Sequence, residues 1–241
     1  MRAIFETAFD AVYLVTVVTL GIIMIKRSLS AEYSNEAEIG EFSRGKRQYL
    51  LFGIMAVTLG AGDAFHLVPR AAALCTTGLE SYTAALGIGK LITSVTMTAF
   101  YVLLYYVWRS RYKVSGKSVI TAAVWLCAAI RAVLCFLPQN KWTSTDAPIS
   151  WGVYRNIPFA VLGGIIVVLF MQSAKKCGDR SFRFLWLTVV LSFGFYIPVV
   201  LFADAVPTIG ILMIPKTCAY VWTVLIGFNA MRRDLKNEKM S

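Results

Sequence analysis

The sequence predicts an all-α integral membrane protein, a single bundle of seven transmembrane helices over residues 1–241, with the N-terminus outside and the C-terminus inside. Three observations lead there. First, 58% of the 241 residues are hydrophobic and 15% are charged, with a mean hydropathy of +0.66, whereas soluble domains hold roughly 45–50% apolar and about 25% charged residues. Second, seven apolar stretches approach the roughly 20 residues a helix needs to cross the hydrocarbon of a bilayer. Third, the bases behind the net charge of +11 gather in alternate connections.

The spans are expected near 7–25, 49–69, 87–108, 118–137, 157–173, 184–203 and 208–231. Lys26, Arg27, Arg44, Lys46 and Arg47 follow the first, and Arg109, Arg111, Lys113 and Lys117 follow the third. Lys175, Lys176, Arg180 and Arg183 follow the fifth, and Arg232, Arg233, Lys236 and Lys239 the seventh. The other side holds mainly Arg2, Lys141 and Arg155. By the positive-inside rule the basic connections are cytoplasmic. The positive charge is thus a topology signal, with attraction to anionic lipid headgroups as a second effect, and nucleic acid is not expected as a partner. A multi-pass protein of the cell membrane follows, and the short connections leave no room for a soluble catalytic domain.

Taken in order, the first span opens with Glu6 and Asp10 and carries its bases after the apolar run, the reverse of a cleaved leader. The connection 26–48, with Glu32, Glu36, Glu38 and Glu41, reads as a solvated loop. Span two sets Asp63, His66 and Arg70 on one face, which Ala56, Gly60 and Ala64 continue as a small-residue groove suited to a neighbouring helix or a ligand's apolar tail. Span three enters with Lys90, and span four reaches Arg131 two thirds of the way across. Residues 138–156, with Pro138, Trp142, Pro148, Trp151 and Tyr154, suit a segment at headgroup level. Span six ends in Tyr196, Pro198 and Asp204; in span seven Pro215 is expected to bend the helix where Lys216 projects, with Tyr220 one turn on.

An ionisable group at the centre of a span costs at least about 2.5–3.5 kcal/mol on insertion scales. With this orientation Asp10, Asp63, His66, Arg70, Lys90, Arg131, Lys216 and Asp204 all fall in the outer half, while the inner half reads as apolar packing. Snorkelling to the interface accounts for Arg70, Lys90 and Asp204. Asp63, Arg131 and Lys216 lie deeper and carry both signs, so a hydrated, outward-facing pocket of paired charges is expected. Asp63, one turn below His66, is placed to orient that imidazole as an acid–base pair, the alternative being a satisfied interior histidine. The chain has one histidine and no CxxC, so neither a metal site nor another cofactor is expected.

Two families share features with these residues. The segment Gly62-Asp63-Ala64-Phe65-His66-Leu67, followed by Pro69, is similar to the Gly-Asp motif of YhhN-type lysoplasmalogenases, which cleave the vinyl-ether bond of lysolipids. That resemblance implies a site role for Asp63; the family's second carboxylate has no counterpart in Ser192-Phe193-Gly194-Phe195. Seven helices, an outside N-terminus, the Tyr196-Ile197-Pro198-Val199-Val200 stretch and a lysine in helix seven resemble microbial rhodopsins. There the lysine forms a Schiff base with retinal, which would make Lys216 the matching position and Asp63 or Asp10 its counterion.

The expected function is a membrane-embedded enzyme that acts on a lipid or other amphiphilic small molecule by acid–base chemistry. Asp63 and His66 would be catalytic, and Arg70, Arg131, Lys216, Tyr220, Tyr196 and Asp10 would bind the substrate, the bases taking an anionic head. The alternative is a non-enzymatic receptor or transporter, a retinal-binding protein among them. Internal repeats would favour a transporter, and neither span lengths nor proline positions recur between the first three and last three helices.

Overall fold

In the computed structural model, which describes residues 2–33, 42–76, 78–203 and 205–238, seven helices are long and apolar enough to cross a membrane. They are α1 (Arg2–Tyr33), α2 (Phe42–Cys75), α3 (Thr83–Arg111), α4 (Ser118–Phe136), α5 (Ile149–Cys177), α6 (Leu185–Phe202) and α7 (Met213–Glu238). Each buries its backbone polar groups within one segment, the requirement that restricts spanning elements to helices and closed barrels. Short 3-10 turns at Leu79–Tyr82, Pro138–Asn140 and Pro207–Leu212 lie in three of the connections.

Each helix packs on its sequence neighbours, α1 also meets α7, and α3 reaches across to α5. Contacts between helix ends fix the alternation of direction. Glu6 at the start of α1 meets Arg70 late in α2, and Tyr49 early in α2 meets Asp234 late in α7. One end of the bundle therefore carries the start of α1 and the other the end of α7. The core holds Phe52, Phe100, Tyr101, Tyr105, Phe170 and Phe182, all fully buried. Between lipid-solvated helices there is little hydrophobic drive, so interlocking shape and interhelical hydrogen bonds hold them.

Glycines show that interlock. A Cβ on Gly60 would sit 2.6 Å from Val18 Cγ2, and one on Gly53 would sit 2.8 Å from Ile25 Cγ1, so α1 lies in the small-residue groove of α2. No room is left there for a ligand's tail. A Cβ on Gly62 or Gly89 would overlap Thr96 or the backbone at Phe65 and His66, and Thr93 Oγ1 donates to the Gly62 carbonyl at 3.1 Å. These approaches seat α3 against α2 at the level of Asp63 and His66.

Three expectations about elements are corrected. The stretch 26–48 is helical at both ends, since α1 runs to Tyr33 and α2 begins at Phe42; Glu36, Glu38 and Glu41 lie outside the described residues. Trp151 and Tyr154 ride on the first turns of α5. Pro215 bends no continuous helix. It occupies the first turn of α7, where its missing N–H leaves no bond unmade, and the 3-10 turn Pro207–Leu212 precedes it.

Candidate functional site

The half of the bundle nearer the start of α1 brings five of the expected residues together. Asp63 on α2 accepts a hydrogen bond of 2.6 Å from Tyr13 Oη on α1, and Lys216 on α7 is the cation that acts on its carboxylate most directly. Lys216 is 8% exposed. Its Nζ lies 4.7 Å from the Tyr196 ring centroid and 5.2 Å from that of Tyr220, so two electron-rich faces and one carboxylate surround the ammonium. Tyr220 is positioned by its edge-to-face contact with Phe100, and Tyr196 Oη donates to Asn156 Oδ1 on α5 at 3.4 Å.

Arg131 on α4 completes this layer. It is 2% exposed, and its guanidinium lies over the Phe159 ring at 3.3 Å from the centroid. Its Nε and Nη1 have no hydrogen-bond partner among the described residues, and the group's one side-chain hydrogen-bond neighbour there is the Cys135 thiol. Tyr196, Cys135 and Tyr220 act on it electrostatically, and its positive charge also reaches Lys216. Stacking on a ring occupies the face of the guanidinium and leaves its in-plane N–H groups available.

His66 stands apart from Asp63. Its Nδ1 donates to the Leu86 carbonyl at 3.3 Å, across the α2–α3 contact. The expected pairing is corrected: Tyr13 orients Asp63, and a backbone carbonyl orients His66. Because a carbonyl oxygen only accepts, the proton is on Nδ1, and Nε2 carries the lone pair. Arg70 is taken by Glu6 at 3.0 Å. Asp10 lies within the field of Arg70, Glu6 and Asp63, nearer the N-terminal end. Lys90 is exposed, and Asp204 lies outside the described residues.

Three neighbours had no signal as strong as a charge in an apolar run. Tyr13 lies one turn after Asp10 on the face that Asp10 shares, and that spacing was available to find it. Arg155 donates to Asn140 Oδ1 at 2.9 Å, stacks on Trp142 and reaches the Tyr196 and Cys135 side. Ser192, buried on α6, meets Tyr101 Oη at 3.3 Å.

At the opposite end of the bundle, where the apolar packing meets the basic connections, the structure adds a charged cluster that the sequence reading does not pair. Arg111 grips Asp179 through Nε at 2.9 Å and Nη2 at 3.2 Å, and donates from Nη1 to Asp234 at 3.1 Å and Tyr49 Oη at 3.2 Å. Tyr49 also donates to Asp234, and the Arg111 guanidinium lies 4.9 Å from the Phe182 ring centroid. Burial works to raise the Asp179 pKa, but Arg111 and the N–H groups of Phe182 and Ser181 outweigh it and hold the carboxyl below the usual carboxylate range. Above this cluster Thr223 donates to Thr188 at 2.7 Å between α7 and α6. The cluster joins α2, α3, α7 and the α5–α6 connection, and each of its polar partners points to another member, so it reads as a structural clasp.

No family model, curated protein or solved structure matches this chain. Among the described residues no group of three or more His, Cys, Asp or Glu side chains is placed to hold a metal ion. The half of the bundle nearer the start of α1 holds a carboxylate that accepts from Tyr13, a histidine whose lone pair is on Nε2, and the buried bases Arg131 and Lys216.

Proposed function

We propose that this multi-pass membrane protein is an enzyme that acts on an amphiphilic small molecule by acid–base chemistry, with Asp63 as the proton-exchanging group. The observation that carries the reading is the setting of Asp63: one oxygen fixed by Tyr13, a lysine opposite, and the whole within an apolar bundle. A carboxylate held this way is oriented before substrate arrives, which general acid–base catalysis requires. His66 Nε2 is the second proton acceptor, and Arg131 and Lys216 receive the head of the substrate while its tail stays in lipid. By the positive-inside rule this half of the bundle opens to the outer face of the cell membrane.

The test is to incubate purified protein in neutral detergent with a total lipid extract and follow the species consumed by mass spectrometry. Wild type is expected to deplete a defined class of amphiphile, and Asp63→Asn to abolish that depletion while still melting cooperatively as a folded protein. Equal depletion by both proteins refutes the assignment.

A second reading is favoured by one observation, the carboxylate and two tyrosine rings around Lys216. An iminium formed there with retinal would find Asp63 as counterion. All-trans retinal added to the wild type would then give a visible absorption band that Lys216→Ala lacks; no band in the wild type excludes it.

A further inference from the structure

We infer that Arg131 anchors an anion subsite, and that the group it takes carries a single negative charge. The inference rests on the proposed function only for placing a ligand in this layer. Of the bases expected to bind a head, Arg70 is paired with Glu6, and Lys216 is surrounded by Asp63, Tyr196 and Tyr220. Arg155, closer to the N-terminal end, is held by Asn140 and Trp142. Arg131 differs from them all, being 2% exposed with Nε and Nη1 unpaired among the described residues and only a weakly accepting thiol, Cys135, beside it.

A guanidinium cannot shed its proton to escape this situation, and an unpaired buried charge is among the most costly arrangements a protein can hold. An acceptor that approaches in the plane of the group resolves it, because Phe159 covers one face.

Charge counting then sets the ligand's valence. Asp63 answers Lys216, and Arg131 acts on Lys216 with no carboxylate among its own electrostatic partners. One further negative charge neutralises Arg131, since Arg155, which acts on the same Tyr196 and Cys135, is only half-buried. A fatty-acid carboxylate, a phosphodiester head and a small inorganic anion share that property, whereas a phosphate monoester in its dianionic form overshoots it.

The experiment measures ligand-induced thermal stabilisation of the full chain in neutral detergent at pH 8, where a ligand that binds only folded protein raises the midpoint. The probes are oleate, lysophosphatidylglycerol, sodium nitrate, dodecyl phosphate, oleyl alcohol and oleylamine. Preference for oleate or lysophosphatidylglycerol, with at least tenfold weaker binding in Arg131→Met and near-normal binding in Arg131→Lys, supports the subsite and an amphiphilic source. Nitrate binding that also depends on Arg131, with oleate no better than oleyl alcohol, supports the subsite but defeats the amphiphile reading above. Stronger binding of dodecyl phosphate than of any monoanion overturns the valence. Equal binding of oleate, oleyl alcohol and oleylamine to wild type overturns the subsite without recourse to any variant, as does unchanged oleate affinity in Arg131→Met.

Discussion

Replacing Arg111 by methionine removes the centre of the C-terminal clasp and leaves Asp179 and Asp234 facing each other's neighbours without a cation. The side chains of Arg111 and Asp179 are 17% and 7% exposed, so their pair counts as largely buried, whereas Asp234 at 38% is screened by solvent and adds little. Breaking a buried pair by removing one partner costs about 3–5 kcal/mol. The lower end applies here, about 3 kcal/mol, because methionine retains contact with the Phe182 ring. For a chain of this size about 1 kcal/mol moves the melting midpoint by roughly 2–4 °C, so Arg111→Met is expected to melt about 6–12 °C below wild type in neutral detergent. Arg111→Lys, which keeps the charge but not the two-pronged grip on Asp179, should fall between them.

The dependence on pH has a definite sign. Asp179 has a depressed pKa in the folded protein, so its contribution is complete above the unfolded carboxylate pKa of about 3.9 and disappears as pH falls through the folded value. The gap between wild type and Arg111→Met should therefore be constant from pH 8 to pH 5 and close below about pH 4. A gap under about 1 °C at pH 7, or one that persists unchanged at pH 3, would show that the grip on Asp179 is not what Arg111 contributes.

Tyr13→Phe keeps the ring and deletes the donor to Asp63; interhelical bonds in membranes average about 0.6 kcal/mol and reach about 1.7, so its midpoint should fall by only a few degrees while lipid turnover drops far more. A parallel loss of both would make Tyr13 structural only. Gly89→Ala places a methyl against the Phe65 carbonyl and should cost about 1–3 kcal/mol as an overpacked contact; a midpoint equal to wild type would contradict the close α2–α3 approach. Orientation is testable with native thiols, since Cys75 and Cys177 are exposed at opposite ends of the bundle. In intact cells a membrane-impermeant maleimide should reach Cys75 and spare Cys177, and the opposite pattern would invert the topology.

Hydropathy made seven spans legible because the cost of burying backbone and charge in lipid is large and one-signed. The same cost singled out Asp63, Arg131 and Lys216: each is expensive where it sits, so each stands out from its neighbours. Partners were harder to read. Tyr13 is an ordinary aromatic in a span until Asp63 is known to face it, and the Leu86 carbonyl that takes His66 has no side-chain signature at all. The clasp was hidden for another reason, since Arg111 lies in a run of topological bases; the signal was that Asp179 and Asp234 are acids in otherwise basic connections. Pro215 misled because a proline in an apolar run marks a helix start as readily as a bend, and the 3-10 turn ahead of it decides which.

The central claim is that the polar layer around Asp63, Lys216 and Arg131 holds an amphiphile. The direct measurement is mass spectrometry of lipids extracted from protein purified out of the membrane, compared with the membrane as a whole. Wild type should be enriched in a species with a singly charged acidic head, and Arg131→Met should lose that enrichment. Lipids present in the same proportions as the surrounding membrane, in both proteins, would contradict the claim.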